Sequence, residues 1–223
     1  MTALTKKQKQ LRKRLIDDLN AIEDVDKTMI KESILNYNID EIDYQDKICL
    51  DLGVNIGAFS KIAIERGAKR VYGLECDLRN YQIASSNFSS EIKVKVVHAA
   101  VSGSTEDTLQ IYKSNSKSNH SSTSINKRTN TFTEYDRVKN YHITDVLNEV
   151  QPDIVKIDIE GAEYDIIEEV TRYKPKVLFI EIHGGNEKAK NAVQRFENIY
   201  TNSKVDEIIY FKKLGGYDCL FYD

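Results

Sequence analysis

Short apolar runs rich in Val and Ile alternate with segments of helical spacing through most of this chain. The apolar runs are residues 48–52, 70–74, 94–101, 153–159 and 176–182. The segments with helical spacing lie between them, at residues 58–66, 78–88 and 163–171. Because neighbouring parallel strands need long crossover connections, this alternation predicts βαβ units around a mostly parallel sheet with helices on both faces.

The C-terminal part of the chain carries a different pattern. Apolar runs at residues 207–211 and 217–222 flank a glycine-bearing segment at 212–216, which predicts a turn between antiparallel strands. A parallel sheet of about seven strands closed by such a hairpin is typical of the class I, Rossmann-like methyltransferase fold. We expect residues 1–40 to form an N-terminal helical extension and residues 41–223 to form the methyltransferase domain.

Composition excludes several classes of function. The formal net charge of −3 argues against a generic nucleic-acid binder, which needs a basic surface to displace counterions. No apolar run is long enough to cross a bilayer, and the N-terminus lacks the apolar core of a signal peptide. The three cysteines form no C-x-x-C pair, and an odd number disfavours a disulfide framework. We therefore expect no nucleic-acid partner, no membrane span and a cytoplasmic or otherwise reducing compartment.

The segment Asp51–Gly57 connects the first predicted strand to the first predicted helix of the sheet. Gly53 and Gly57 have no Cβ and allow the backbone to approach a ligand closely. Asp51 is placed to take an ammonium group directly or through water, and Asn55 to form a hydrogen bond inside the turn. The fingerprint G-x-G-x-x-G is absent, which weakens a dinucleotide interpretation. A nucleoside cofactor without pyrophosphate, S-adenosylmethionine (SAM), fits this loop better.

A second set of residues supports a nucleoside site. Glu75 ends the second predicted strand, where a carboxylate can accept hydrogen bonds from both ribose hydroxyls. Cys76 follows it, and His98 and Ala99 close the third strand, where adenine contacts are expected. A strand-end histidine with an ordinary hydrogen bond remains the alternative for His98. The predicted SAM site consists of Asp51, Gly53, Asn55, Gly57, Glu75, Cys76, His98, Ala99 and Asp158.

Carboxylates and a histidine follow the two later predicted strands. Asp158 and Glu160 are two residues apart, as are Glu181 and His183, so each pair is predicted to share one side of its strand. We expect Asp158, Glu181 and His183 to surround one point, either as a divalent metal site for Mg or Mn or as an acid/base group. A structural hydrogen-bond network is the open alternative. If no metal binds, His183 is the preferred general base, because its ordinary pKa lies near working pH.

The segment 114–132 is dense in Ser, Asn, Thr and Lys, with almost no apolar residues. Such a composition predicts a long surface loop, which is either a lid on the substrate side or a mobile tether. Candidate residues for the acceptor groove are Tyr112, Asn119, His120, Ser121 and Ser122, with Glu160 from the sheet edge.

Three motifs in this order resemble those of the FkbM family of SAM-dependent methyltransferases. They are DLGVNIGAFS at residues 51–60, KIDIEGAE at 156–163 and FIEIH at 179–183. Val54 departs from the smaller residue usual at its position. The resemblance implies a class I fold, SAM as cofactor and O-methylation of a hydroxyl, commonly on a sugar or on a glycosylated or polyketide-type product. Some related sugar O-methyltransferases use a divalent metal to hold the acceptor hydroxyls.

The leading hypothesis is a SAM-dependent O-methyltransferase that acts on a small-molecule or glycan hydroxyl, with Asp158, Glu181 and His183 as its catalytic group. Two other classes remain open. An NAD-dependent oxidoreductase would also use the strand-end acid Glu75. A non-catalytic SAM-binding scaffold would hold a partner through the basic segment 6–14 and would need no catalytic group.

Overall fold

The computed structural model describes residues 5–19, 24–37, 40–114, 123–125, 132–210 and 213–223. The helices in this part of the chain are α1 (Lys6–Asp18), α2 (Asp24–Tyr37), α3 (Ala58–Glu65), α4 (Leu78–Asn87), α5 (Ile143–Val150), α6 (Ile167–Tyr173) and α7 (Glu187–Glu197). The strands are β1 (Ile48–Leu52), β2 (Arg70–Glu75), β3 (Val94–His98), β4 (Ala100–Ser102), β5 (Thr108–Ser114), β6 (Thr123–Ser124), β7 (Phe132–His142), β8 (Ile154–Ile157), β9 (Val177–His183), β10 (Asn202–Tyr210) and β11 (Lys213–Tyr222).

The main sheet has seven strands in the order β10-β11-β9-β8-β1-β2-β3. The pairs from β9 to β3 are parallel, whereas β11 is antiparallel to both β9 and β10. This arrangement confirms the predicted class I fold with its C-terminal antiparallel hairpin. The chain reverses its direction of travel across the sheet between β1 and β8, and open α/β sheets bind ligands at the carboxyl ends of strands at such a point.

The predicted turn at residues 212–216 is wrong in its position. Residues 213–216 belong to β11, and the ladder between β10 and β11 shifts register between Ile208 and Ile209. Gly216 lies where a Cβ atom would be 2.4 Å from the carbonyl oxygen of Ile182. The glycine therefore permits close approach of β11 to β9 and does not mark the turn.

A second sheet of four strands, in the order β4-β7-β5-β6, was not predicted from the sequence. The predicted third strand, 94–101, divides into β3, which stays in the main sheet, and β4, which pairs with β7. The predicted surface loop at 114–132 is also wrong in its middle. Thr123 and Ser124 form β6, are buried, and pair with Tyr112 and Lys113 of β5.

The two N-terminal helices pack on the helix that follows the cofactor loop. Leu15, Leu19, Ile30 and Ile34 are fully buried in one apolar cluster together with Ile62 of α3. The helix α1 begins with a capping box between Thr5 and Gln8, which satisfies two backbone N–H groups at its start. That residues 1–40 form a separable extension remains a prediction. Among the described residues, no helix combines the length and the apolar character needed to span a membrane.

Candidate active site

A cleft opens at the carboxyl ends of β1, β2 and β8, beside the point where the sheet reverses direction. Its lining comprises the loop after β1, the end of β2, the start of β4, the strand β6 and the turn after β8. The lining residues are Gly53, Asn55, Leu74, Glu75, Cys76, Asn80, Ala99, Ala100, Val101, Thr123, Ser124, Ile125, Asp158, Ile159, Glu160 and Ala162.

The loop after β1 needs glycine at two positions. Gly53 has φ +82°, and a Cβ atom there would lie 1.9 Å from the backbone carbonyl oxygen of Asp158. Gly57 has φ +99°, and its Cβ would lie 2.4 Å from the ring of Phe88. Gly53 and Asn55 line the cleft, whereas Gly57 serves the packing of α3 against α4. Of the two glycines predicted to approach a ligand, only Gly53 lines the cleft.

We expect Gly53→Ala to lower the free energy of unfolding by more than about 2 kcal/mol, since it combines left-handed strain with a backbone collision. The loop and Asp158 must separate, so the affinity for S-adenosylhomocysteine (SAH) should fall as well. Gly184→Ala is the matched control, because Gly184 has φ +98° but its nearest neighbour would be at an ordinary 3.7 Å. Denaturant unfolding and calorimetric titration measure both quantities. If both variants lost the same unfolding free energy and the same SAH affinity, the predicted collision at Gly53 would be contradicted.

Glu75 lies at the end of β2 with its carboxylate 5% exposed inside the cleft. Its Oε2 accepts a hydrogen bond from the backbone N–H of Asn55 at 2.7 Å, and its Oε1 accepts one from Asp77 at 2.8 Å. Burial raises the pKa of Glu75 to about 7, although these two backbone hydrogen bonds oppose the shift. Each oxygen keeps a lone pair, so the carboxylate can still accept hydrogen bonds from a diol.

Besides Gly57, two predicted cofactor residues are absent from the lining of the cleft. Asp51 is fully buried beneath the loop, where its Oδ2 accepts a hydrogen bond from Ser60 at 2.7 Å. His98 stacks on Tyr81 with ring centroids 5.2 Å apart, and its Nε2 lies 3.1 Å from the carbonyl oxygen of Cys76. The contact of Asp51 with an ammonium group, directly or through water, stays a prediction. For His98, the alternative of a hydrogen-bonded strand-end histidine fits the structure.

The side of the cleft that β6 forms was not predicted from the sequence. Asp77 is buried and caps α4 by accepting a hydrogen bond from the backbone N–H of Asn80 at 3.1 Å. Its other oxygen accepts hydrogen bonds from Lys113 at 2.7 Å and from the Thr123 hydroxyl at 3.1 Å. These hydrogen bonds connect the Asp77 carboxylate at the cleft to β5 and β6 of the second sheet. Burial alone would raise the pKa of Asp77, but the contacts with Lys113 and the other donors lower it overall. The spacing of Asp77 and Asn80 was a readable helix-start signal.

The carboxylates after β8 lie in a turn and not on a strand as predicted, since β8 ends at Ile157. Glu160 has φ +55° and Gly161 has φ +95°, so the chain bends sharply and brings the Glu160 side chain back towards Asp158. Non-glycine residues in this region of φ are uncommon and concentrate at functional sites. Ligand atoms of Asp158, Glu160 and His183 all lie within 4.8 Å of one another.

His183 is 8% exposed and is held by carboxylates at both ring nitrogens. Its Nδ1 lies 3.1 Å from Glu163, and its Nε2 lies 3.3 Å from Glu160 and 3.1 Å from Glu181. Burial alone would lower the pKa of His183, but the hydrogen bonds to these three carboxylates raise it well above the ordinary value. These carboxylates therefore favour the protonated ring, and His183 is not among the residues that line the cleft. His183 as general base in the absence of a metal stays a prediction.

Glu181 differs from its predicted role as a ligand equal to Asp158 and His183. Burial, followed by the charge of Asp158, raises its pKa, and the hydrogen bond with His183 opposes the shift. The compact group of ligand atoms contains Glu160 in place of Glu181. In the set of possible metal ligands, Glu160 therefore replaces Glu181, and Glu181 instead contacts the Nε2 atom of His183.

An open groove adjoins the cleft, and Ile125 lines both. The groove is lined by polar residues of the second sheet, among them Gln110, Tyr112 and Arg137, and by Asp165 and Glu169. Tyr112 is a predicted acceptor residue. The other predicted acceptor residues from this region, Asn119, His120, Ser121 and Ser122, lie outside the described residues.

Comparison with known proteins identifies the family. A family model described as the methyltransferase FkbM domain matches residues 51–219, from β1 to β11. Among solved structures, a proposed RNA methyltransferase from Pyrococcus horikoshii superposes with a TM-score of 0.53 at 15% identity, covering 98% of each chain. The methyltransferase FkbM from Methylobacillus flagellatus superposes with a TM-score of 0.53 at 14% identity, covering 94% of this chain and 59% of that one.

At these identities the structural matches establish the fold, and the family model carries the assignment. No curated protein has a significant sequence match to this chain. The three motifs at residues 51–60, 156–163 and 179–183 all fall inside the matched segment. The chain belongs to the FkbM family of SAM-dependent methyltransferases.

Proposed function

We propose that this methyltransferase transfers the methyl group of SAM to a hydroxyl oxygen of a saccharide. The observation that carries the proposal is a single cleft with Glu75 on one side and with Asp158 and Glu160 on another. A buried strand-end glutamate suits a ribose diol, and carboxylates in the same cleft suit a hydroxyl that must lose its proton.

The lining of the cleft fits SAM in three places. Glu75 retains lone pairs for the ribose hydroxyls. Small and apolar residues at 99–101 and the segment 123–125 line the part of the cleft proposed for adenine. Gly53 and Asn55 line the part proposed for the methionine portion, where the absence of a Cβ lets Gly53 pack against the backbone of Asp158. Bound SAM supplies a methyl group on a positively charged sulfur, which is open to in-line attack by an oxygen.

The residues after β8 supply the acid/base chemistry in this proposal. An alcohol holds its proton tightly at neutral pH, so a carboxylate within hydrogen-bond reach assists its removal. Asp158 takes this proton as the bond between oxygen and methyl carbon forms and the bond between carbon and sulfur breaks, with SAH as the second product. When no metal is bound, a protonated His183, 3.3 Å from Glu160, limits the repulsion among the clustered carboxylates.

The same cluster fits a divalent cation, which is the second part of the proposal. Glu163 holds the Nδ1 side of His183, as is usual for metal-bound histidines, and a metal at Nε2 would replace the proton through which Nε2 contacts Glu160 and Glu181. Asp158 and Glu160 add oxygen ligands from the turn after β8. A ligand set of two carboxylates and one imidazole favours Mn²⁺ over Mg²⁺. Such a cation would hold the acceptor hydroxyl and make it more acidic.

The groove beside the cleft provides a place for the rest of the acceptor. Asp165 and Glu169 accept hydrogen bonds from hydroxyl groups, and the Tyr112 ring offers a face on which a sugar can pack. Among the described residues that line this groove, three carboxylates, Glu106, Asp165 and Glu169, outnumber one arginine, Arg137. This charge favours a neutral saccharide over a phosphorylated one.

The test is a transfer assay with labelled SAM over a panel of neutral glycans and their phosphorylated counterparts. We expect methyl ethers on neutral saccharides. Glu169→Lys should raise the KM for the acceptor while kcat stays near the wild-type value. Glu168→Lys is the matched control, since Glu168 is its neighbour on α6 but pairs with Arg172 outside the groove. Methylation confined to nitrogen or to non-saccharide acceptors would contradict the proposal.

The metal part is tested in the same assay after exhaustive EDTA treatment. We expect turnover to fall by at least about tenfold and to return on addition of Mn²⁺, since metal assistance contributes several kcal/mol to such reactions. SAH binding, measured by calorimetry, should not change. Full turnover without metal would leave Asp158 as the sole means of activating the hydroxyl.

A further inference from the structure

Lys156, near the end of the central strand β8, has no part in the function proposed above, although it is only 4% exposed. Its ammonium group donates hydrogen bonds to the carbonyl oxygens of Gly53 and, at 3.3 Å, of Leu52. These two carbonyls belong to the end of β1 and the start of the cofactor loop. A buried lysine is costly unless its charge and its donors are matched, so this placement requires a compensating group.

The compensating group is Asp51, which is paired with Lys156 in the register of β1 and β8. Asp51 Oδ1 lies 3.3 Å from the Lys156 ammonium and, within the described residues, has no hydrogen bond of its own. The other oxygen, Oδ2, is taken by Ser60 on α3. With their charged groups 3.3 Å apart and both side chains buried, the two residues form an ion pair beneath the loop.

The ammonium group also links this pair to the reacting end of the cleft. Its distance to Asp158 Oδ2 is 3.9 Å. Gly53, whose carbonyl it holds, is packed against the backbone carbonyl of Asp158 so closely that no Cβ fits between them. A single charged group thus fixes the cofactor loop, the strand β8 and one carboxylate of the cleft relative to one another.

We propose that Asp51 and Lys156 act together as positioning residues, so that Asp51 influences cofactor binding through Lys156 and the loop and not through contact with the ammonium group of SAM. The inference rests on the proposed cofactor cleft. Full burial of Asp51 and its absence from the cleft lining support it. Direct contact with the amino-acid tail is the competing role for an acid at this position.

Two ligands distinguish these roles. SAH carries the amino-acid tail, whereas 5′-methylthioadenosine has the same nucleoside and sulfur but lacks that tail. Calorimetry on the full chain compares both ligands in wild type, Asp51→Asn, Lys156→Met and the double variant. We expect each single substitution to weaken both ligands by the same factor, about tenfold or more, because breaking a buried pair leaves one partner uncompensated. The double variant should be no weaker than Lys156→Met alone, since the two residues act as one unit.

Melting temperatures of the ligand-free variants show whether a change in ligand affinity results from a loss of stability. The double variant carries no buried charge at either position, so it preserves the comparison if Lys156→Met alone fails to fold. Loss of SAH affinity with unchanged methylthioadenosine affinity in Asp51→Asn would overturn the inference in favour of direct contact. Lower melting temperatures with unchanged affinities would overturn it in favour of a purely structural pair. If wild type binds neither ligand, the proposed cofactor cleft itself is wrong, which is a separate failure.

Discussion

Asp158→Asn should lower the rate of methyl transfer by about 100- to 10,000-fold, the usual contribution of a positioned acid or base. The amide keeps the shape of the side chain but cannot take a proton from the acceptor hydroxyl. It is also a weaker ligand for any cation held with Glu160 and His183. Because Glu75 and the loop at Gly53 are unchanged, the affinity for SAH should stay within about threefold, less than 1 kcal/mol. Initial rates at saturating SAM and calorimetric titration with SAH measure the two effects.

Asp153→Asn provides the control on the same strand. Asp153 immediately precedes β8, at the edge of the sheet away from the cleft, and pairs with Lys176 at 2.7 Å. It also accepts a hydrogen bond from the backbone N–H of Ile48 at 3.1 Å. Its loss should cost some stability and leave the rate of transfer unchanged. If Asp158→Asn kept the wild-type rate, Asp158 would not be the base, and a parallel measurement on Glu160→Gln would decide between the two cleft carboxylates.

The main sheet could be predicted from sequence because its strands are buried on both faces. Runs such as 48–52 and 176–182 are nearly continuous in apolar residues, and βαβ units leave few alternatives for their order. The second sheet gave no such signal. Its strand β5 alternates apolar and polar residues over a short length, and β6 consists of Thr123 and Ser124. Their burial depends on the hydrogen bond of Thr123 to Asp77, which no local pattern reveals.

The candidate site was predictable where a residue's role depends on its place at a strand end. Gly53 and Glu75 follow this rule, and both lie in the cleft. Asp51 also stands near a strand end, but its side chain points beneath the loop to Ser60. The direction of the Asp51 side chain depends on which helix packs over β1. That packing cannot be read from the sequence. For the same reason, the contact of His183 with carboxylates from two separate segments could not be foreseen.

Glu75→Gln should weaken SAH binding about 10- to 100-fold at pH 8, since hydrogen bonds to a charged acceptor contribute roughly 1.5–3 kcal/mol. The two oxygens of Glu75 accept from the backbone N–H groups of Asn55 and Asp77. Glutamine offers only one oxygen to these two donors, so one N–H group loses its partner and the loop at Asn55 is held less firmly. Calorimetry at a series of pH values measures the affinity.

The change of SAH affinity with pH shows whether the Glu75 carboxyl that accepts the ribose hydroxyls is charged or neutral. Burial raises the pKa of Glu75 in the free protein to about 7, above its unfolded value. The stability that this carboxyl contributes is therefore present at low pH and is lost as pH rises through about 7. Hydroxyl groups that donate to Glu75 favour its ionised form, so SAH should bind more tightly at pH 8 than at pH 6. The rise in melting temperature caused by SAH should likewise be larger at pH 8.

Glu181→Gln is the matched control for this dependence. Glu181 is also a glutamate near the end of a parallel strand with a pKa raised by burial, but it lies outside the cleft lining. Its substitution should leave both the affinity for SAH and its change with pH as in wild type, whereas Glu75→Gln should flatten the change. A profile that stays steep in Glu75→Gln would assign the titration to another group. The ribose would then be held elsewhere in the cleft, because a buried glutamate that binds a diol cannot be neutralised without consequence for its affinity.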